Sequence, residues 1–323
     1  MYSVDASSVQ SSKAPVRQQS GFLVVGIVLT LLLQWAAAGL GPAGIFVNLS
    51  VPLPAAYALL RGGPAIGAGV VALTTGALFA LGEAAGATAY LLQFGLASLV
   101  LPALLRRGWS WDRAVVATLA VVVGVVALTV GGYAASRGLP VSELASQYVQ
   151  GEVDRALAIY EAADLPEAQI QELTEVAQRM AELLLVAYPG LVVVVTGGLL
   201  FLMVLFLSAF ARGRYVLAGP DFARWKASEV LVWPLIAAGL GVAFGDGLAG
   251  HVALNVLVVL LPIYFLQGLA IVTYFFRKKG ISPALRAMGY VLIAILNPLP
   301  LIVTGLGVFD LWVDFRKPRI RNT

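Results

Sequence analysis

The feature that most limits what this chain can become is a series of long apolar blocks that no charge interrupts. A block of about 20 apolar residues makes a helix about 30 Å long, which matches the hydrocarbon core of a bilayer. Ten segments read this way: 21–40, 44–60, 64–81, 87–105, 115–135, 183–211, 230–244, 249–276, 283–296 and 300–313. Charged residues make up 12% of the chain, against about 25% in soluble domains, and collect between the blocks with Gly and Pro. The expected fold is all-α, a polytopic transmembrane helix bundle of about 8–10 membrane segments. The second block, interrupted by Pro52 and Pro54, reads as two half-helices. The last two are short, and Asn297-Pro298-Leu299-Pro300 separates them.

Basic residues test this arrangement, because Lys and Arg accumulate on the cytoplasmic side of membrane proteins. With an internal N-terminus and strict alternation, the inside pieces hold Lys13 and Arg17; Arg61; Arg106, Arg107 and Arg113; Arg212, Arg214, Arg224 and Lys226; Arg277, Lys278, Lys279 and Arg286; and Arg316, Lys317, Arg319 and Arg321. These are 18 of the 21 basic residues; Arg137, Arg155 and Arg179 fall outside. Merging the last two segments into one crossing would put the basic tail outside. The reading is therefore ten full crossings, or eight followed by a re-entrant hairpin, and both versions leave the two termini cytoplasmic. The same bias accounts for the net charge of +4 without nucleic acid. Residues 21–33 followed by Ala36-Ala37-Ala38 have the outline of a signal peptide, but the apolar stretch runs on to Leu40 and reads as an uncleaved first helix.

Five regions follow. Residues 1–20 are a polar, disordered cytoplasmic start; 21–135 hold the N-terminal membrane helices; 136–182 are an acidic extracytoplasmic insertion; 183–315 hold the C-terminal membrane helices; 316–323 are a basic cytoplasmic tail. The insertion carries nine acidic residues against three basic and reads as a helical hairpin. Leu144, Tyr148, Leu157 and Ile159 lie on its first helix. Asp164-Leu165-Pro166-Glu167 resembles a helix start. Ile170, Leu173, Val176, Met180 and Leu184 then recur at helical spacing, on a helix that continues into the sixth membrane segment. The insertion reads either as a cap or partner surface, or as a solvated connector.

Enzyme chemistry finds no foothold. There is no cysteine and one histidine, His251, so thiolate sites, disulfides and multi-histidine metal centres are excluded and no cofactor is expected. No zinc-protease, phosphate-loop or serine-elbow pattern occurs. Any active transport must draw on an ion gradient or a separate ATPase. The spacings Gly63…Gly67 and Gly241…Gly245 suit close helix packing.

Polar residues inside apolar blocks are costly in lipid, so each is a candidate site. Gln34, Asn48, Glu83, Gln93, Asn255 and Gln267 are read as lining a solute pocket; the alternative for groups at helix ends is simple hydration. Near the C-terminus, Asp310 and Asp314 are four apart and would share a helix face. With Arg316 and Lys317 they read as a partner contact or as a local ion pair at the cytoplasmic exit.

Several strings carry a resemblance: Val51-Pro-Leu-Pro54 followed by Gly63-Pro64, Leu101-Pro102…Arg106-Arg107, Tyr188-Pro189, and Leu306-Gly-Val-Phe-Asp310-Leu-Trp-Val-Asp314-Phe-Arg316-Lys317. In this order they resemble the YybS-like family of uncharacterised bacterial membrane proteins. That family is in turn similar, over its first five or six helices, to the solute-binding S components of energy-coupling-factor transporters. The resemblance implies a bacterial inner-membrane, transporter-like protein that binds a small polar solute in the lipid bilayer and depends on a transmembrane coupling subunit and ATPases. No solute-contacting residue is matched. The alternative is a membrane scaffold, without transport, for envelope or cell-division partners.

Overall fold

The computed structural model describes residues 16–161, 167–210 and 217–317. The start of the expected disordered segment (1–15), the helix-start residues Asp164–Pro166, Arg212, Arg214 and the tail beyond Lys317 lie outside the described residues. In chain order the helices are α1 (Val16–Gly39), α2 (Gly44–Asn48), α3 (Leu53–Gly62), α4 (Pro64–Ala80), α5 (Ala84–Tyr90), α6 (Leu96–Arg106), α7 (Trp111–Arg137), α8 (Val141–Glu161), α9 (Glu167–Phe210), α10 (Val232–Phe244), α11 (Gly247–Lys278), α12 (Pro283–Ile295) and α13 (Leu299–Val313). A π-helical turn, Leu91–Gly95, joins α5 to α6. Among the described residues there is no strand, so the fold is all-α. Helix α1 begins at Val16, inside the stretch expected to be disordered to residue 20.

Among the described residues, six stretches are long and apolar enough to cross a bilayer: Gln19–Gly39, Gly44–Gly62, Ala84–Arg106, Trp111–Arg137, Gln169–Phe210 and Gly247–Lys278. Pro64–Ala80 and Glu229–Phe244 are shorter apolar helices. Helices α12 and α13 are bent by 101° at their break. At 13 and 15 residues they are about 20 and 22 Å long, short of the roughly 30 Å core. They form a broken pair rather than two straight full-length crossings. Large apolar side chains such as Phe244, Leu248 and Leu128 are about four-fifths exposed. In water such faces would drive aggregation; in lipid they are the solvent-facing surface.

The chain divides into two compact units. The first comprises residues 1–129 and 196–219, the second 130–195 and 220–323. In the first unit, α2 and α3 are the two half-helices expected around Pro52 and Pro54. Four residues break them, and the Ser98 hydroxyl from α6 lies 3.0 Å from the Pro52 carbonyl and 2.7 Å from that of Phe94, able to serve either. Helix α3 ends at Gly63, whose φ of 101° only glycine adopts without strain, and Pro64 opens α4 with its preset φ. A helix end leaves carbonyls without partners. Arg106 on α6 supplies them, donating to the carbonyls of Leu59 (2.9 Å) and Leu60 (3.3 Å).

Those contacts fix directions. Helices α3 and α4 form an antiparallel hairpin, closed by Gly67 against Leu59. Helix α1 runs opposite to α3, with Phe22 edge-on to Tyr57. Helices α1 and α4 therefore run the same way, with Gly26 packed on Val70 and Leu23 against Gly69.

In the second unit, α8 and the first part of α9 hold the acidic insertion. The expected helices are present, but the buried stripe differs. Val176, Met180 and Leu184 are exposed, while Ala181 is buried and Ala177 half-buried. Ile170 and Leu173 are half-buried as expected, and beyond them Ala177 and Ala181, rather than Val176 and Met180, carry the face turned inward. Helix α9 is 44 residues long, about 66 Å, and continues through Pro189 into the membrane block. Helices α11 and α13 touch backbone to backbone: a Cβ on Gly268 would meet the Val303 carbonyl oxygen, and one on Gly307 that of Tyr264. Neither glycine stood out in the sequence. Gly241, which did, packs on Ala253 of α11.

Candidate functional site

The interior of the first unit contains polar atoms that nothing satisfies. Gln34 Oε1 on α1, Thr74 Oγ1 on α4 and Tyr90 Oη on α5 are buried without a hydrogen bond. Hydroxyls elsewhere in the unit show the ordinary solution: Thr30, Thr75 and Thr118 each donate to the carbonyl four residues earlier. Tyr90 and Thr74 lie side by side, close enough to influence each other but outside hydrogen-bond geometry. The parallel register of α1 and α4 puts Thr30 level with Thr74. It carries Gln34 one turn further, about 6 Å along the axis. Tyr90 thus lies beside Thr74, and Gln34 lies about one turn further along toward the Gly39 end of α1. Each costs about 1–3 kcal/mol when left unpaired, and buried groups of this kind ordinarily have a hydrogen-bond partner. The other atoms of this kind are scattered: Asp112 Oδ1 at the α7 N-terminus, Tyr264 Oη, and Arg316 Nε.

The second unit solves the same problem with a closed network. Asp310 on α13 is fully buried, as is Gln267 on α11, and the Arg316 side chain is 7% exposed. Asp310 Oδ2 accepts from Arg316 Nη2 at 2.5 Å and from Gln267 Nε2 at 3.2 Å, and its Oδ1 accepts from the Phe315 N–H at 3.0 Å. Gln267 Oε1 accepts from the Ala227 N–H at 3.0 Å. Arg316 Nη1 donates to the carbonyls of Trp225 (2.8 Å) and Ala223 (3.2 Å). Non-helical backbone beside a membrane helix must be satisfied from within the protein. Arg316 and Gln267 do this for residues 223–227. Around the network, Lys226 pairs with Asp314 at 3.2 Å and Arg277 with Asp221 at 2.6 Å. The loop before α10, the end of α11 and the segment after α13 therefore share one face, as basic pieces on one side of a membrane should.

Asp314 departs from the expected geometry. Helix α13 ends at Val313, and Asp314 takes a left-handed conformation with φ 43°. The four-residue spacing therefore does not put Asp310 and Asp314 on a shared face: Asp310 turns inward to Arg316, and Asp314 outward to Lys226 and Lys317. Burial pushes the Asp314 carboxyl up, but the hydrogen bond and charge of Lys226, helped by Lys317, outweigh it and hold the group below its ordinary range.

The six residues read from the sequence as pocket lining separate. Gln34 is among the unsatisfied interior groups. Asn48, in α2, and Glu83, at the α4–α5 turn, are exposed; so is Gln93, in the π-helical turn. Asn255 and Gln267 are in the other unit. The Asn255 amide bridges two backbone groups of α9, accepting from the Gly190 N–H at 2.7 Å and donating to the Val186 carbonyl at 2.8 Å. An uninterrupted helix would join that pair to itself, and the bridge falls beside Pro189. A Cβ on Gly190 would be tight there, with the Asn255 oxygens 3.0 Å from its position. Gln267 joins Asp310 and Arg316, which the sequence had grouped with Asp314 and Lys317 but not with Gln267. Thr74 and Tyr90 were missed; a Thr-Thr pair and a tyrosine inside apolar blocks were the available signal.

A family model described as a predicted membrane protein (DUF2232) matches residues 28–311. No curated protein and no solved structure matches the chain.

Proposed function

This chain belongs to the DUF2232 family of predicted membrane proteins, and from that premise we propose that its first unit is a transporter-like receptor for a small polar solute. The observation that carries the reading is the trio Gln34 Oε1, Thr74 Oγ1 and Tyr90 Oη, atoms buried without a hydrogen bond in the first unit. A solute with hydroxyl, amide or carbonyl groups supplies the hydrogen bonds they lack. The reading agrees with the resemblance, over the first five or six helices, to S components. It places the protein in a bacterial inner membrane with both termini cytoplasmic, has it perform no chemistry on the solute, and leaves energy to a coupling subunit with ATPases. Glu83, at the end of α4 nearest the trio, is the exposed polar group best placed to meet a solute first.

The test is a thermal-shift screen of the detergent-purified protein against small polar solutes, repeated on Gln34→Leu and Tyr90→Phe. A stabilising solute whose effect both variants abolish is the expected result. If no solute shifts the wild type while both variants melt higher, the groups are merely unsatisfied and the reading fails.

The scaffold alternative draws on one observation, the exposure of Glu143, Glu152, Asp154 and Tyr148 along α8. Crosslinking through α8 that recovers envelope-assembly or cell-division proteins and no ATPase subunit would favour it.

A further inference from the structure

The basic face of the second unit contains a built groove. It has a volume of about 290 Å³ and is lined by Asp221, Ala223, Arg224, Tyr274, Arg277 and Lys278. Three cations and one carboxylate leave it a surplus of two positive charges. Arg277 is committed to Asp221, and Lys278 lies over the Tyr274 ring at 5.7 Å. Part of the charge on Arg277 and Lys278 also balances the carboxyl end of α11. Arg224 has no such commitment: its guanidinium is exposed and makes no hydrogen bond or ion pair among the described residues. Its backbone, however, is fixed. Arg316 holds the carbonyls on either side of it, Ala223 and Trp225, and Arg277 holds Asp221. A free cation on a pinned loop, beside a second cation on an aromatic face, is arranged before any ligand arrives.

From this geometry we infer that the groove binds the phosphate of an anionic phospholipid headgroup. Helix α11 is 32 residues long, about 48 Å, so its basic end reaches beyond the hydrocarbon core into the headgroup layer. Tyr274 and Trp225, half-buried on this face, are residues that favour that layer. Basic pockets beside membrane helices recognise anionic headgroups, and each nearby cation contributes a similar increment. The inference concerns the second unit alone, so it stands or falls independently of the solute site.

The test compares retention of phosphatidylglycerol and phosphatidylcholine by the full chain in nanodiscs, read by native mass spectrometry. Preference for the anionic lipid is expected to fall about fivefold for each cation removed in Arg224→Gln and Lys278→Gln, and to be lost in the double variant. Lys317→Gln, an exposed cation of the same face outside the groove, should leave the preference unchanged. An unchanged preference in the double variant overturns the proposal, as does an equal drop in Lys317→Gln, which would mean unspecific attraction. Inorganic phosphate is the second arm. If it displaces phosphatidylglycerol at millimolar concentration and no lipid preference exists without it, the site takes a soluble phosphate and the lipid assignment is overturned.

Discussion

Replacing Arg316 with Met tests whether the buried network holds the second unit together. The substitution keeps the length of the side chain and removes its charge. It strips Asp310, with no exposed surface, of its ion-pair partner, and it leaves the carbonyls of Ala223 and Trp225 without their donor. Removing one member of a buried pair costs about 3–5 kcal/mol, because the other charge stays behind in a medium that cannot solvate it. At about 2–4 °C per kcal/mol, the apparent melting temperature in detergent should fall by roughly 6–20 °C. Asp310→Asn leaves Arg316 unpaired in turn and should also destabilise, though less, since the amide oxygen still accepts from the Phe315 N–H. The double variant has no charge to strand, so it should lose clearly less than the two single losses combined. Melting curves of the four proteins, followed by a fluorophore that reports unfolding, give the cycle. A loss under 2 °C in Arg316→Met, or strict additivity in the double variant, would refute the argument that the pair is coupled and buried.

Other expectations follow from the same structure. Gly307→Ala should cost several kcal/mol by forcing α13 off the Tyr264 carbonyl, whereas Gly305→Ala, with nothing near its added methyl, should be neutral or gain up to about 1 kcal/mol from helix propensity; paired melting curves decide it. Asn255→Leu should lower stability by about 2–4 kcal/mol, since the Gly190 N–H and Val186 carbonyl are left beside an apolar side chain; no loss on thermal melting would show that α9 closes on itself there. The lowered Asp314 carboxyl binds its proton more weakly in the folded than in the unfolded chain, so its stabilising effect is complete above the ordinary value of 3.8 and drains away as pH falls through the lower native value. The melting difference between wild type and Asp314→Asn should therefore hold steady above about pH 5 and narrow in more acid solution; a difference independent of pH would count against it. A phosphatase reporter fused at Gln150 should be active and one at Lys279 inactive, and the reverse pattern would invert the proposed topology.

The sequence revealed what depends on composition along the chain and concealed what depends on partners across it. Apolar blocks without charge can only become membrane helices, and Pro52 and Pro54 announced the break between α2 and α3. Gln267 was recognisable as a costly polar residue in lipid, but its partner Asp310 is 43 positions away and on another helix. The spacing of Asp310 and Asp314 misled for a local reason: the pattern assumes a continuing helix, and α13 stops one residue short of the second carboxylate. On α9 Ile170 and Leu173 follow the expected inward stripe, but beyond them Ala177 and Ala181 replace Val176 and Met180 on it, because close approach rewards small side chains more than large ones. Gln34 was legible as a candidate; its companions Thr74 and Tyr90 come from different helices, and only the parallel register of α1 and α4 aligns them.

Arg316 is synthesised after every residue it fastens. Until the ribosome has passed it, the carbonyls of Ala223 and Trp225 and the carboxylate of Asp310 have no cation to satisfy them. The seating of residues 223–227 thus waits on synthesis of the chain as far as position 316, and an element laid down early is locked by a side chain that arrives late.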